Sequence, residues 1–300
     1  MNNYDEKVLI GNWCENRITK EDKDREHLER QNNIARVRHT MKCLLKPEYL
    51  NKINYTSDML VKYGHYVQIV NPGRSIFYSK CNLNEPRPAY TLSLGITNTE
   101  SYTLTTCYKF RNLVQKLLEE DSLEIVGSTN LKASARNVFK IEGISAWEEG
   151  EALRYGQPIR LSLQLGSSWE DQPARLYLAS DLGRLGQHLT KPGALPLYLE
   201  YEKPTFASEW RIEAEDPQKR LLLEGQQVKF NERILIKHNR TNKALALEME
   251  RHIWTMFGKE VDISVNTYMD SHKAELDINL WSFTKVDLSA ETTEEAHKEE

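Results

Sequence analysis

The stretch Leu153-Arg154-Tyr155-Gly156-Gln157-Pro158-Ile159-Arg160-Leu161-Ser162-Leu163 occurs three times in altered form. The earlier copy is Val61-Lys62-Tyr63-Gly64-His65-Tyr66-Val67-Gln68-Ile69-Val70-Asn71, and the later one is Val228-Lys229-Phe230-Asn231-Glu232-Arg233-Ile234-Leu235-Ile236-Lys237-His238. In each copy an apolar residue, a basic residue, an aromatic and then Gly or Asn precede apolar residues at two-residue spacing. That is the pattern of a turn entering a half-buried strand. Gly64, Gly156 and Asn231 stand where a left-handed backbone is expected, because Gly has no Cβ to clash and Asn tolerates that region best among the rest.

A second shared pattern closes each copy: Asn137-Val138-Phe139-Lys140-Ile141, Ser208-Glu209-Trp210-Arg211-Ile212 and Asn279-Leu280-Trp281-Ser282-Phe283. A polar residue, a large aromatic and an apolar residue two further on read as a strand with its aromatic turned inward. Opening turn and closing aromatic together delimit one lobe. Repeated units that cannot bury a hydrophobic face alone must share a core. The expectation is therefore a mainly β chain folded as a β-trefoil, with lobes at 61–141, 153–213 and 228–284.

Composition bounds the function. Of the 300 residues, 39% are hydrophobic and 28% charged, which is ordinary for a soluble globular chain, and no run of about 18 apolar residues offers a membrane span. The start Met1-Asn2-Asn3-Tyr4-Asp5-Glu6 lacks the basic and apolar regions of a secretory signal, so a cytoplasmic protein is expected. A net charge of -4 makes no whole-protein case for nucleic acid. Cys14, Cys43, Cys81 and Cys107 are scattered singly, without the close pairs of a zinc site or redox motif, and read as reduced thiols.

Residues 1–60 read as an N-terminal anchor and a charged helical arm. The patch Val8-Leu9-Ile10-Gly11-Asn12-Trp13 has two readings, a plug for the core or a docking anchor built on Trp13. Ile34, Val37, Met41, Leu44 and Leu45 follow helical spacing, so a helix is placed from about Glu21 to Leu45, with Pro47 beyond its end. Its second half is basic, with Arg30, Arg36, Arg38, Lys42 and Lys46. A helix with so narrow an apolar stripe needs other surface to hold it. These cations form either a solvated face or an arm lying on an acidic partner.

The first lobe is irregular, with extra length around 74–133. This insert carries turn signals at Pro72-Gly73 and Pro86-Arg87-Pro88, a strand-like run from Tyr90 to Tyr108 and a helical stretch at Phe110 to Glu120. It is expected to emerge as a surface loop ordered in part by a partner. In the second lobe, strands are expected at Leu153–Leu165, Leu176–Leu178 and Leu197–Tyr201, with turns at Gly166-Ser167-Ser168 and Ala179-Ser180-Asp181. In the third, strands are expected at Ile234–Ile236, Ala244–Leu247 and Val261–Val265, with a short helix-like stretch from Glu248 to Met256. Residues 285–300 turn acidic and small and read as a disordered tail.

Chemistry-bearing motifs are scarce. Neither a phosphate-cradling glycine loop nor a Gly-x-Ser-x-Gly elbow is present, and the eight histidines never take a metal-binding spacing around a Glu. Asp270-Ser271-His272 holds the residue types of a hydrolase triad, but neighbours on a strand point to opposite faces, so a hydrogen-bonded turn is the reading. Tyr63, Tyr155, Phe139, Trp210 and Trp281 recur at equivalent positions and read as core. No cofactor and no metal is expected, and an enzyme is not.

Six ordered blocks extend the reading: Ile10-Gly11-Asn12-Trp13, Leu153-Arg154-Tyr155-Gly156-Gln157, Leu176-Tyr177-Leu178-Ala179-Ser180-Asp181, Thr241-Asn242-Lys243-Ala244-Leu245-Ala246, Phe257-Gly258-Lys259-Glu260-Val261 and Thr267-Tyr268-Met269-Asp270-Ser271-His272. Together they resemble the cilia- and flagella-associated protein 161 family, across nearly the whole chain except the first-lobe insert and the acidic tail. The resemblance implies a non-enzymatic microtubule inner protein of the ciliary axoneme. It also implies that the partners are α- and β-tubulin and other inner proteins in the A-tubule lumen of doublet microtubules, with neither nucleic acid nor membrane among them. The lobe pattern is similar to MIR-type trefoils, which leaves a lectin-like, glycan-binding module as the alternative. Trp13, Arg30, Arg36, Arg38, Lys42 and Lys46 are the candidate partner-binding residues.

Overall fold

Gly64, Gly156 and Asn231 all adopt the left-handed backbone, with φ of 86°, 84° and 62°. In this computed structural model, which describes residues 17–24, 55, 58–73, 88–97, 114–115, 118–119, 123–144, 149–165, 174–181 and 193–286, each of these turns feeds an antiparallel strand. Twelve strands follow in chain order: β1 (Tyr66–Asn71), β2 (Tyr90–Ile96), β3 (Leu123–Ser128), β4 (Val138–Gly143), β5 (Pro158–Leu165), β6 (Ala174–Ser180), β7 (Leu197–Tyr201), β8 (Trp210–Ala214), β9 (Ile234–His238), β10 (Leu245–Thr255), β11 (Gly258–Val265) and β12 (Leu280–Lys285).

Six of these strands close on themselves. β1 pairs with β4, β4 with β5, β5 with β8, β8 with β9, β9 with β12, and β12 again with β1. The closed circuit leaves no free edge among its six members. The remaining strands form the hairpins β2–β3, β6–β7 and β10–β11.

The three copies of the opening stretch meet at one end of this circuit in rings of backbone hydrogen bonds. The Val61 amide donates to Val228 O, the Val228 amide to Leu153 O, and the Leu153 amide to Val61 O, at 3.0, 2.8 and 2.8 Å. One position further round, Gly64, Gly156 and Asn231 donate to Ile141, Ile212 and Phe283 of the closing strands. Each turn therefore fastens the start of its lobe to that lobe's own end.

The closing aromatics fill the interior as expected: Phe139, Trp210 and Trp281 are fully buried among Ile69, Ile141, Leu161, Ile212, Ile236 and Phe283. A buried indole N–H must find an acceptor. Trp210 donates to Leu178 O at 2.8 Å and Trp281 to Leu245 O at 3.0 Å, each reaching the hairpin of its own lobe.

Four expectations are corrected. The insert around 74–133 is not simply a surface loop, because β2 and β3 lie within it. Every residue of β2 is buried, and a Cβ on Gly127 of β3 would meet Leu247 Cδ1 of β10 at 2.5 Å, so this hairpin is part of the core. The stretch Glu248 to Met256 is the outer half of β10, to Thr255, and the first residue of the turn that follows, rather than a helix. Its helix-forming residues are overridden by pairing with β11 from His252↔Val261 to Thr255↔Gly258. Ala179 and Ser180 continue β6 instead of turning, since both pair with β7. Strand β5 starts only at Pro158, after the Tyr155-Gly156 turn.

Residues 17–24 of the arm are helical, beginning before the expected start, with an Arg17–Glu21 ion pair at 3.3 Å. The rest of the expected arm helix lies outside the described residues, as do the four cysteines and the chain after Val286. Residues 114–115 and 118–119 are helical within the expected stretch. No helix among the described residues is long and apolar enough to cross a membrane.

Candidate interaction surface

Trp13, Arg30, Arg36, Arg38, Lys42 and Lys46 lie outside the described residues, so the structure neither brings them together nor separates them. What it shows is the root of the arm. The Tyr55 hydroxyl donates to Tyr66 O at 2.7 Å and accepts from the Val286 amide at 2.9 Å. One side chain thus ties the approach to β1 to the exit from β12. Its ring meets His65 and Phe230 edge-on at 5.6 and 5.7 Å, and Lys285 Nζ lies 5.6 Å from its centroid. Burial pushes the Tyr55 phenol up to about 12, against the opposing pull of the Val286 amide.

The aromatic before each left-handed turn points to the residue after the next one. Tyr63 donates to Gln157 Oε1 at 3.0 Å, the Tyr155 hydroxyl lies beside the Glu232 carboxylate, and Phe230 stacks on His65 at 5.9 Å. Desolvation first, then the Glu232 charge, holds the Tyr155 phenol protonated well above its usual range. All three aromatics are buried, so their recurrence reflects packing, as expected for Tyr63 and Tyr155.

Between the second lobe and the connection that follows it lies a cleft of about 360 Å³, lined by Tyr155, Arg211, Glu213, Arg220, Leu221 and Glu224 among others. Arg211, Glu213 and Arg220 of its wall belong to an ionic network that continues behind it to Lys237 and Glu275. Lys237 Nζ sits 2.8 Å from Glu213 and 3.2 Å from Glu275, while Arg220 bonds Glu275 at 2.5 Å and Arg211 bonds Glu213 at 2.9 Å. Burial would raise the Glu275 carboxyl, but the Arg220 hydrogen bond and the two cations prevail and hold it below its usual value. The network fixes the helical turn Arg220–Leu223, which presents Leu221 and Leu222 at 84% and 74% exposure. Sequence reasoning missed this feature, although three leucines in a row within an otherwise polar connection were its visible signal.

Asp270 accepts from the amides of His272 and Ala274 at 2.8 and 2.9 Å, the hydrogen-bonded turn expected of that tripeptide. His238 is buried beside Trp210, with its ring nitrogens on Thr241 Oγ1 and Ala207 O. Among the described residues no group of three or more His, Cys, Asp or Glu is placed to hold a metal ion.

With this geometry in place, comparison with known proteins decides the family. The cilia- and flagella-associated protein 161-like domain matches residues 37–286. The chain belongs to the cilia- and flagella-associated protein 161-like family. Cilia- and flagella-associated protein 161 of Mus musculus is 31% identical, with 98% of this chain and 95% of that protein aligned. The Danio rerio protein of the same name is 29% identical over 94% of this chain and 87% of its own length. By family, then, this is a cilia- and flagella-associated protein, and a place in the cilium follows. Among solved structures, an SDF2-like protein from Arabidopsis thaliana aligns with a TM-score of 0.45 and 11% identity over 75% of this chain and 94% of that one. The S. cerevisiae protein O-mannosyltransferase Pmt1-Pmt2 complex bound to the sugar donor aligns with a TM-score of 0.44 and 11% identity over 81% of this chain and 28% of that one.

Proposed function

We propose that this chain is a non-enzymatic structural microtubule inner protein. In this reading it binds α- and β-tubulin and neighbouring inner proteins in the lumen of the A-tubule of ciliary doublets, and so stabilises the axoneme for motility. The observation that carries the reading is family membership across residues 37–286. The architecture supports it. A closed six-strand circuit with three hairpins supports the reading of this mainly β body as a β-trefoil, which we assign to the MIR-like type, spanning about 61–284 between an arm (1–60) and an acidic tail (285–300). Such a body wedges between partners without needing to move. Arg211, Glu213 and Arg220 of its cleft wall are engaged in ion pairs, which supports a scaffold rather than a catalyst.

The basic half of the arm, from Arg30 to Lys46, is assigned to an acidic partner surface, with Trp13 as an apolar anchor. Reversing Arg36, Arg38 and Lys42 to Glu is expected to lower retention in axonemes isolated from rescued null cells. Retention equal to wild type would remove the arm from the contact set.

One observation favours the glycan-binding alternative: a groove of about 430 Å³ lined by Tyr198, Tyr201, Gln115, Glu119 and Glu200 combines aromatic and carboxylate side chains. Glycan-array binding that disappears on Tyr198→Ala would support it.

A further inference from the structure

The outer half of β10, where a helix was expected, displays the largest exposed aromatic among the described residues. Trp254 is 72% exposed and sits directly across from Lys259 in the β10–β11 hairpin. His252 is also exposed and lies two residues away along the strand, where side chains return to the same face. Between His252 and Lys259 the hairpin carries no carboxylate.

The tip holding this tryptophan is rigidly anchored. A register shift between Glu248 and His252 interrupts the β10–β11 ladder at the base of the tip. Beyond it, Thr255 donates to Glu260 Oε2 at 2.6 Å and accepts from the Phe257 amide at 3.1 Å, and the Met256 amide bonds Ile96 O at 2.9 Å. Glu260 is in turn held by the buried Arg136 guanidinium at 2.7 Å, which stacks over Phe257 at 4.0 Å. The turn's polar atoms are thus engaged internally, and Trp254 is left outside the core they stabilise. Isolated exposed hydrophobics are normal, but a tryptophan fixed on a preorganised tip beside an unopposed lysine has the composition of a binding hot spot.

We propose that the Trp254–Lys259 tip is a docking anchor for an acidic protein surface, with Trp254 entering an apolar slot and Lys259 meeting a carboxylate at its rim. Charge complementarity selects the partner class. Among the described residues Lys259 makes no ion pair, whereas Arg251, further back on the hairpin, is paired with Asp262 at 3.4 Å. The proposal rests on the structural reading above in taking the partner to be the microtubule wall.

The test uses the full chain as wild type, Trp254→Ala and Lys259→Glu, co-assembled with purified tubulin and pelleted, with phosphatidylserine vesicles floated in parallel. Trp254→Ala is expected to weaken pelleting by about thirty-fold, the scale of an aromatic hot spot. Lys259→Glu is expected to weaken it by about five-fold, with a flatter salt dependence. Because the side chain is exposed, thermal unfolding of Trp254→Ala should shift by no more than about 2 °C, so lost binding is not lost folding. Pelleting of Trp254→Ala equal to wild type overturns the anchor while leaving the microtubule reading intact. So does vesicle binding that depends on Trp254 without any change in pelleting. Failure of wild type to pellet overturns the tubulin reading instead. The anchor is then judged by axonemal retention of Trp254→Ala in rescued null cells, where loss supports it and wild-type retention overturns it.

Discussion

The Val61 amide donates to the Val228 carbonyl at 3.0 Å, joining the opening residue of the first lobe to that of the third. With Leu153 this makes a closed ring of three hydrogen bonds, and immediately after it each chain segment enters a left-handed turn. The turns are therefore not interchangeable with ordinary loops.

Gly156→Ala tests that constraint. At φ 84° an L residue pays roughly 1 kcal/mol in backbone strain, and the new Cβ would stand 3.4 Å from Glu224 Cγ. A loss of about 1–2 kcal/mol is expected in urea unfolding. Gly150→Ala, at φ 89° with nothing among the described residues within 4 Å, should lose only the backbone part, about 1 kcal/mol. Asn231→Gly should stay within about 0.5 kcal/mol of wild type, because Asn already occupies the left-handed region there.

Trp210→Phe removes the bond to Leu178 O and leaves that buried carbonyl without its indole donor. A loss of about 2–3 kcal/mol is expected from the orphaned acceptor and the small void. The first lobe already carries Phe139 at the equivalent position, so Phe139→Leu should be a smaller change in chemistry. Chemical denaturation of both variants decides whether the indole bond, and not volume alone, fastens each hairpin to the barrel.

Acid should weaken the fold before the carboxylates titrate. Burial lowers the His238 pKa below 6.5, with the Ala207 carbonyl and Asp181 opposing, and burial aided by Lys62 and Lys285 does the same to His65. Below pH 6.5 the unfolded chain therefore binds protons that the folded chain refuses. Their stabilising contribution is complete above that value and is lost as pH falls through the folded values. Urea midpoints should fall between pH 7.5 and 5.5, and His238→Gln should flatten the decline.

Arg136 and Glu260 form a pair with side chains only 3% and 5% exposed. Arg136→Ala leaves Glu260 buried without its cation and is expected to cost about 3–5 kcal/mol. The double variant Arg136→Met, Glu260→Leu should recover most of that loss, since an apolar replacement removes both desolvation penalties. A double variant as unstable as the single one would mean that the hydrogen bonds from Arg136 to Leu94 O and Ser128 Oγ carry the cost.

Much of the barrel was legible because its signals are local. Tyr63-Gly64, Tyr155-Gly156 and Phe230-Asn231 announce their turns by residue type, and Phe139, Trp210 and Trp281 announce their burial by repetition. The hairpins were harder, since a hairpin strand is defined by its partner. Glu248, Met249, Glu250 and Arg251 favour a helix by propensity, and β11, pairing at Asp262 with Glu248 before the register shift and at Val261 to Gly258 with His252 to Thr255 beyond it, makes the strand that carries them extended. The first-lobe hairpin was concealed by length, because the connection from Ile96 to Leu123 is longer than those from Ser180 to Leu197 and from Thr255 to Gly258 in its sister lobes. The Tyr55 clasp was invisible for a different reason: Tyr55 and Val286 meet only once the circuit has closed.

The central claim is that the protein is a built-in structural component of the doublet wall. Salt extraction of isolated axonemes, with this protein followed in pellet and supernatant, addresses it most directly. The account predicts retention through about 0.6 M salt, where surface charge pairs are screened to a few ångströms, and release only when the doublets themselves dissolve. Release at modest salt with the doublets intact would contradict it, and would identify instead a peripheral protein held by charge.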